Sequence, residues 1–349
     1  MYMFGRMMNN YYYGKSGKGD FRKEDLPQNR RQLFSDTLKT RLSALCRINL
    51  LYMIIFLPAM IVIMMGFTNT LSVSSSLIAI EEQDSYASYA EQLAENEQEV
   101  RITEEQFNEI KNAGVNYGDL IDSSLFSTLI WLIPCIAITG PFTAGLSYVT
   151  RNWARDEHAF IWTDFKDAIK ANWRQSLILS VITSVFPVLV YVGWKFYGQM
   201  AQNNPIMIIP QVLVVLVAII WAISITYMHP MAVTYELKMK DLLRNGLLLG
   251  VARLPMSVGI RLLHCVPALI TAVLIWFWNP MIGIMILFGW YVLIGFSLSR
   301  FITASYTNAV FDRFINPRIE GAKVDQGLYK PEEDEDDEPE TEKEGETEN

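Results

Sequence analysis

Residues 206–229 read IMIIPQVLVVLVAIIWAISITYMH and contain no Asp, Glu, Lys or Arg. About 20 consecutive apolar residues are enough for an α-helix to cross the hydrocarbon core of a bilayer. Five more stretches of similar length and composition flank this one. They are residues 49–71, 125–150, 177–196, 262–278 and 281–299. The sequence therefore predicts an all-α polytopic membrane helix bundle with six transmembrane helices.

The charged residues between these stretches are segregated by sign. The chain of 349 residues has a formal net charge of -8, but 12 acidic residues fall in residues 72–124 and 12 more in residues 331–349. The remainder holds 26 basic and 13 acidic residues, concentrated in residues 1–48 and in the loops 151–176 and 230–261. Because Lys and Arg beside membrane helices stay preferentially in the cytoplasm, both loops and both termini are predicted to be cytoplasmic. We expect a multi-pass protein of the bacterial cytoplasmic membrane.

Three regions follow from this pattern. Residues 1–47 form a basic cytoplasmic segment, whose last part, from residue 29, has the apolar spacing of an amphipathic helix. Residues 48–318 form the membrane domain, with residues 72–124 as an acidic extracytoplasmic insertion of helical character. This insertion is either a solvated cap or a divalent-cation site. Residues 319–349 form an acidic tail, predicted to be disordered, that either solvates the terminus or folds back on the basic loops.

The two basic loops each predict a helix on the membrane surface. In residues 160–176 and 235–249, apolar residues recur at helical spacing while charged residues occupy the opposite side. Both contain Lys-Asp-x-x-Lys/Arg, once as Lys166, Asp167 and Lys170 and once as Lys240, Asp241 and Arg244. We interpret spans two and three, and spans four and five, as copies of one hairpin unit.

Signatures of chemistry are scarce in this sequence. The span centres carry no Asp, Glu, Lys or Arg, and His229 and His264 lie at span ends. No HExxH, GxSxG, P-loop or CxxC motif is present, so we expect no enzyme activity, no cofactor and no metal site. Prolines do occur within spans, and they either kink the helices or break them to build a transport path. The pair Gly140 and Pro141 is the foremost candidate for a functional break.

Two blocks of sequence resemble the YesL-like family of bacterial integral membrane proteins. The first runs from Gly140-Pro-Phe-Thr-Ala through Arg151 to Trp153 and continues as Phe165-Lys-Asp-Ala-Ile-Lys-Ala-Asn172-Trp-Arg-Gln-Ser176. The second comprises residues 229–235 and 242–255, and the resemblance extends over most of residues 47–318. It implies a protein of uncharacterised molecular activity whose relatives are often encoded beside sugar ABC transporters. The chain departs from the family pattern in placing its acidic insertion before the Gly-Pro segment.

The expected function is that of an accessory or interaction partner in membrane transport, with carbohydrate uptake as the process that the resemblance implies. The expected partners are the lipid bilayer and a sugar ABC transporter permease, with no nucleic acid. The alternative is a transporter or channel whose path lies at the proline-broken helices. The candidate interaction residues are Gly140, Pro141, Arg151, Lys166, Asp167, Lys170, Asn172, Lys240, Asp241 and Arg244.

Overall fold

The computed structural model describes residues 26–329, except for residues 101, 114–116 and 279. Within these ranges the chain is helical and contains no strand. Six helical segments are long and apolar enough to cross a membrane. They are Arg30–Glu82, Ile121–Ala154, Thr163–Asn203, Pro205–Ala232, Leu254–Phe277 and Ile282–Arg318. The predicted fold class is confirmed, whereas most of the basic N-terminal segment and the acidic tail from residue 330 lie outside the described residues.

The first helix, α1, is one continuous element from Arg30 to Glu82. The side chain of Asn29 caps it by accepting a hydrogen bond from the backbone N–H of Gln32 at 3.0 Å. Its 53 residues correspond to a length of about 80 Å, well beyond the bilayer core. The amphipathic segment, the first span and the start of the insertion are therefore a single helix.

The insertion continues with two short helices, α2 (Tyr86–Glu95) and α3 (Glu104–Ala113). Thr103 caps α3, because its hydroxyl accepts from Gln106 N at 3.3 Å and its N–H donates to the Gln106 side chain at 2.9 Å. Tyr89 and Phe107 pack with Ile80 of α1 in a small separate core. Burial raises the pKa of Tyr89, which keeps its hydroxyl protonated at neutral pH. The acidic insertion is thus a folded helical cap.

The second and third spans are α4 (Tyr117–Ala154) and α5 (Thr163–Asn203). Helix α4 is continuous through Pro134 and Pro141, so the broken helix considered for this segment is not observed. Helix α5 includes the predicted surface helix and the span that follows it in one element. No Gly or Pro interrupts the sequence between Thr163 and Phe186, and nothing local therefore ends the helix at the membrane surface.

The remaining helices are α6 (Ile208–Ala232), α7 (Met239–Ala252), α8 (Leu254–Phe277), α9 (Pro280–Trp290) and α10 (Phe296–Phe314). The second predicted surface helix is a separate element here, because α7 ends at Ala252 and Pro255 lies in the first turn of α8. A π-helical turn, Tyr291–Gly295, joins α9 to α10. The two proposed copies of the hairpin thus differ in how the surface helix joins the next span.

Two apolar clusters hold the bundle together. The first joins α1, α4, α5 and α10, with Leu45, Leu146 and Phe301 fully buried. The second joins α5, α6, α7 and α10 around Leu179 and Met228. Helix α10 contributes to both clusters and therefore lies centrally, whereas neither cluster of buried residues includes α8 or α9.

Candidate functional site

The two ends of the described chain meet at one end of the bundle. Arg30, at the start of α1, pairs with Asp312 of α10 and with Asp325, the latter at 2.6 Å. The backbone N–H of Tyr329 donates to the carbonyl of Pro27 at 2.9 Å. Both chain ends therefore lie at the same end, which we call the loop end because it also carries the α4–α5 and α6–α7 connections. This arrangement agrees with an even number of spans.

The α6–α7 connection is tied to this assembly by Tyr235. Its hydroxyl donates to Asn316 Oδ1 at 2.5 Å, and Asn316 in turn donates to Asp312. Burial raises the pKa of Tyr235 to about 12, with the nearby Asp312 carboxylate acting in the same direction. The hydroxyl therefore stays protonated at neutral pH and keeps its role as a donor.

Two further hydrogen bonds fix the same connection against α4 and α5. The guanidinium of Arg151 donates to the carbonyl of Val233 at 3.4 Å, and Gln175 Nε2 donates to the carbonyl of Leu237 at 2.6 Å. The carbonyl of Arg151 also accepts from Asn308 of α10 at 3.3 Å. The α6–α7 connection is thus held at several points and forms a defined wall.

A cleft of about 1060 Å³ opens between this wall and the first turns of α5. We call it the loop-end cleft. Charged side chains of both signs line it. They are Asp164, Asp167, Arg174, Glu236 and Lys238. Asp164 also accepts a hydrogen bond from the backbone N–H of Phe160 at 2.8 Å, which fixes the chain entering α5. The cleft is therefore a polar, ordered depression built from both basic loops.

Exposed aromatic residues surround the entrance to α5. Phe160 and Trp162 precede this helix, and Trp173 lies on its surface with the guanidinium of Arg174 at 5.2 Å from its ring centroid. Aromatic side chains with one polar neighbour are typical of the boundary between lipid and water. The entrance to α5 thus has the residue types expected at that boundary.

Gly140 has a packing role in this structure, and Pro141 lies within the continuous helix α4. A Cβ at position 140 would clash with the carbonyl of Ser176 and would lie 2.7 Å from Ser180 Oγ. Gly145 is similarly closed by the ring of Phe165, at 2.8 Å from such a Cβ. Glycine at these two positions lets α4 and α5 pack closely in the halves nearer the loop end. This close contact positions one wall of the cleft.

The structure separates the ten predicted interaction residues into groups. Asp167 and Asn172 line the loop-end cleft, and Arg151 supports its wall. Lys166 and Lys170 are exposed on α5 outside the cleft lining. Lys240, Asp241 and Arg244 are exposed on α7, also outside it. The two Lys-Asp-x-x-Lys/Arg motifs therefore do not converge on one site.

Sequence reasoning missed three residues that organise the loop end and the adjoining interior. Asp312 is buried beside Arg30, and Arg261 and Arg300 face a cavity inside the bundle. Arg261 falls at the end of the predicted loop 230–261, and Arg300 lies just beyond the sixth apolar stretch. The sequence does contain a signal for this proximity. Arg261 precedes the fifth predicted span and Arg300 follows the sixth, so the two arginines lie at the same depth when these two helices run antiparallel.

The fold and site define an all-helical, multi-pass membrane protein with a polar cleft at one end. Within the described ranges, no group of three His, Cys, Asp or Glu side chains converges as metal ligands would. Residues 124–194, which cover most of α4 and α5, match the model of DUF624, a family of proteins of unknown function. The match is consistent with the resemblance to the YesL-like family. No curated protein and no solved structure matches the chain.

Proposed function

We propose that this protein is an accessory component of the bacterial cytoplasmic membrane that holds a protein partner in the loop-end cleft and supports solute uptake. The expected partner is the permease of a sugar ABC transporter, as the family resemblance implies. In this proposal the cleft faces the cytoplasm, and the chain catalyses no reaction and binds no nucleic acid. The observation that carries the proposal is the cleft itself, whose walls come from both basic loops.

The size and lining of the cleft favour a polypeptide over a small molecule. Its volume of about 1060 Å³ slightly exceeds the range of roughly 300–1,000 Å³ that small-molecule pockets occupy. Acidic side chains such as Asp167 and Glu236 lie in the same cleft as Arg174 and Lys238. Side chains of both signs are suited to a polar partner segment, because complementary charges fix its register and exclude other partners.

The rigidity of the walls also supports a docking role. Gln175 holds the carbonyl of Leu237, and Asp164 holds the backbone of Phe160. A surface that is already ordered loses less conformational entropy when a partner binds. The exposed Trp173, with its neighbour Arg174, supplies the residue types that most often dominate binding energy at interfaces.

The proposal is tested by photo-crosslinking from within the cleft. A photoreactive amino acid replaces Lys238, which lines the cleft, or Lys240, which is equally exposed but lies outside it. Irradiation of cells that express each full-length variant is expected to yield an adduct with a transporter permease from position 238 and not from position 240. The two positions are two residues apart, so expression and membrane insertion are matched.

The same experiment contradicts the proposal in two cases. One is the absence of any protein adduct from position 238. The other is an identical set of adducts from positions 238 and 240, which would show that proximity to the membrane rather than the cleft decides the contact. In a supporting result, Asp167→Lys reduces the adduct from position 238, since it reverses one charge of the cleft.

A further inference from the structure

A second cavity, distinct from the loop-end cleft, lies inside the bundle. It has a volume of about 210 Å³ and is enclosed by α1, α6, α8, the π-helical turn and α10. Arg261 and His264 face it from α8, and Arg300 faces it from α10. Its lining contains no Asp or Glu. We call it the arginine cavity.

The charges of the arginine cavity are not balanced by the described protein. Elsewhere in the described ranges, Arg30 pairs with Asp312 and Arg155 pairs with Glu157, but no ion pair there includes Arg261 or Arg300. Instead, the two arginines act electrostatically on each other. Two like charges in a medium of low dielectric constant repel strongly, and buried cations are normally paired.

Polar atoms around the cavity also lack partners. Arg261 Nε and Thr226 Oγ1 are both inaccessible to solvent and have no hydrogen-bond partner. His229 Nδ1 on α6 is likewise inaccessible to solvent and without a hydrogen-bond partner. The charged groups that act electrostatically on His229 are Arg261 and Arg300. Buried polar atoms are normally satisfied, so several unpaired ones around one cavity indicate a missing partner.

The wall of the cavity is held by a specific hydrogen-bond arrangement. The π-helical turn exposes the carbonyls of Tyr291 and Val292, and Asn49 of α1 donates to both at 2.8 Å. The side-chain oxygen of Asn49 accepts from Ser297 N at 2.9 Å. Single π-helical turns occur frequently at functional sites. This turn places Tyr291 and Gly295 on the cavity wall.

We propose that the arginine cavity binds a phosphate group. A phosphate group carries a charge of up to about -2 near neutral pH and can balance two guanidinium groups, which bind its oxygens in a bidentate manner. The hydroxyl of Thr226, which has no hydrogen-bond partner, is an additional donor. The volume of 210 Å³ equals that of roughly seven water molecules at about 30 Å³ each, so a phosphate group and some water fit within it.

The phosphate group has two sources that share this chemistry. Arg261 precedes the fifth apolar stretch and Arg300 follows the sixth, which places the cavity near one boundary of the bilayer. Lipid headgroups and free phosphate both reach that depth. Apolar side chains of α8 such as Leu262 and Leu269 are exposed on the outside of the bundle, as expected of a helix surface that faces lipid.

The test measures thermal unfolding of the full-length protein in detergent, in sodium phosphate and in sodium chloride of equal ionic strength. Phosphate is expected to raise the unfolding midpoint of the native protein in a saturable way. Arg261→Gln and Arg300→Gln are each expected to weaken the apparent phosphate affinity about tenfold or more, because each removes charged hydrogen bonds. Arg313→Gln is the matched control, since it removes an exposed charge from α10 outside the cavity.

Two further measurements distinguish the source of the phosphate group and the role of the arginines. In nanodiscs without free phosphate, phosphatidylglycerol is expected to stabilise the native protein over pure phosphatidylcholine if a lipid headgroup is bound, and to leave it unchanged if only free phosphate is bound. Arg261→Lys keeps the charge and is expected to recover part of the affinity. The proposal is overturned if neither phosphate nor phosphatidylglycerol stabilises the native protein, or if Arg313→Gln abolishes the effect as fully as Arg261→Gln.

Discussion

The α4–α5 hairpin and the α8–α9 hairpin are built from similarly apolar sequences but differ in how much of their surface is buried in the bundle. In the first, Leu146 and Leu179 are fully buried and glycines bring the two helices into close contact. In the second, Gly283 of α9 does pack closely against Ile275 of α8, but Trp276 and Phe277 are 83% and 80% exposed, and a Cβ added at Gly259 or Gly289 would meet no atom within 4 Å. Apolar composition therefore identifies both as membrane helices without showing which one forms the core.

This difference assigns different roles to the two hairpins. The match to the DUF624 model falls on the α4–α5 hairpin, which supplies the scaffold and one wall of the loop-end cleft. Helix α8 contributes Arg261 to the arginine cavity while its outer surface remains open. A loosely packed helix that carries an unbalanced charge fits a binding role, because its surroundings can adjust to a ligand.

The largest effect on stability is expected where α4 and α5 of the scaffold hairpin are in closest contact. Gly140→Leu forces side-chain atoms against Ser176 and Ser180, and overpacking of this kind costs about 3 kcal/mol. Gly259→Leu adds its side chain where a Cβ meets no atom within 4 Å, and it also gains helix propensity. We expect the first variant to unfold at a clearly lower temperature in detergent than the native protein, and the second to match or exceed the native value. Equal destabilisation by both variants would refute the contrast.

A smaller effect is expected where α1 meets the π-helical turn that follows α9. Asn49→Ala removes three hydrogen bonds to buried backbone groups, which we expect to cost about 2 kcal/mol. Asn69→Ala on the same helix is the control, since Asn69 is exposed and makes one long hydrogen bond to Ser124 at 3.4 Å. Comparison of thermal unfolding midpoints separates the two. A midpoint of Asn49→Ala equal to that of Asn69→Ala would show that the turn does not depend on Asn49.

The smallest effect concerns the connection that forms the wall of the loop-end cleft opposite α5. Tyr235→Phe removes the hydroxyl that donates to Asn316 while retaining the ring against Phe311, at a cost of about 1 kcal/mol. We expect little change in the global midpoint and faster proteolysis of the α6–α7 connection. Tyr148→Phe, also at the cleft, is the control because no hydrogen bond of the Tyr148 hydroxyl contributes to this wall. Identical proteolysis of the two variants would contradict the role of Tyr235.

The sequence predicts the six spans well because long apolar stretches have one physical solution in a bilayer. It also predicts the α7 surface helix, which a local amphipathic pattern specifies. It fails to predict that α5 continues into the membrane without interruption, since an amphipathic pattern does not reveal where a helix changes direction. It also misses Asp312, Arg261 and Arg300. Whether a charged residue near the end of a span is buried depends on how the helices pack together, and the sequence pattern of a single helix does not reveal that packing.

The most direct test determines on which side of the membrane the loop-end cleft lies. In a chain with Cys46, Cys135 and Cys265 replaced by Ala, single cysteines at Lys238 in the cleft and at Glu91 in the acidic cap are labelled with a membrane-impermeant thiol reagent. We expect intact cells to label only the Glu91→Cys variant, and Lys238→Cys to react after permeabilisation. Labelling of Lys238→Cys in intact cells would place the cleft outside and contradict the proposed docking of a cytoplasmic partner.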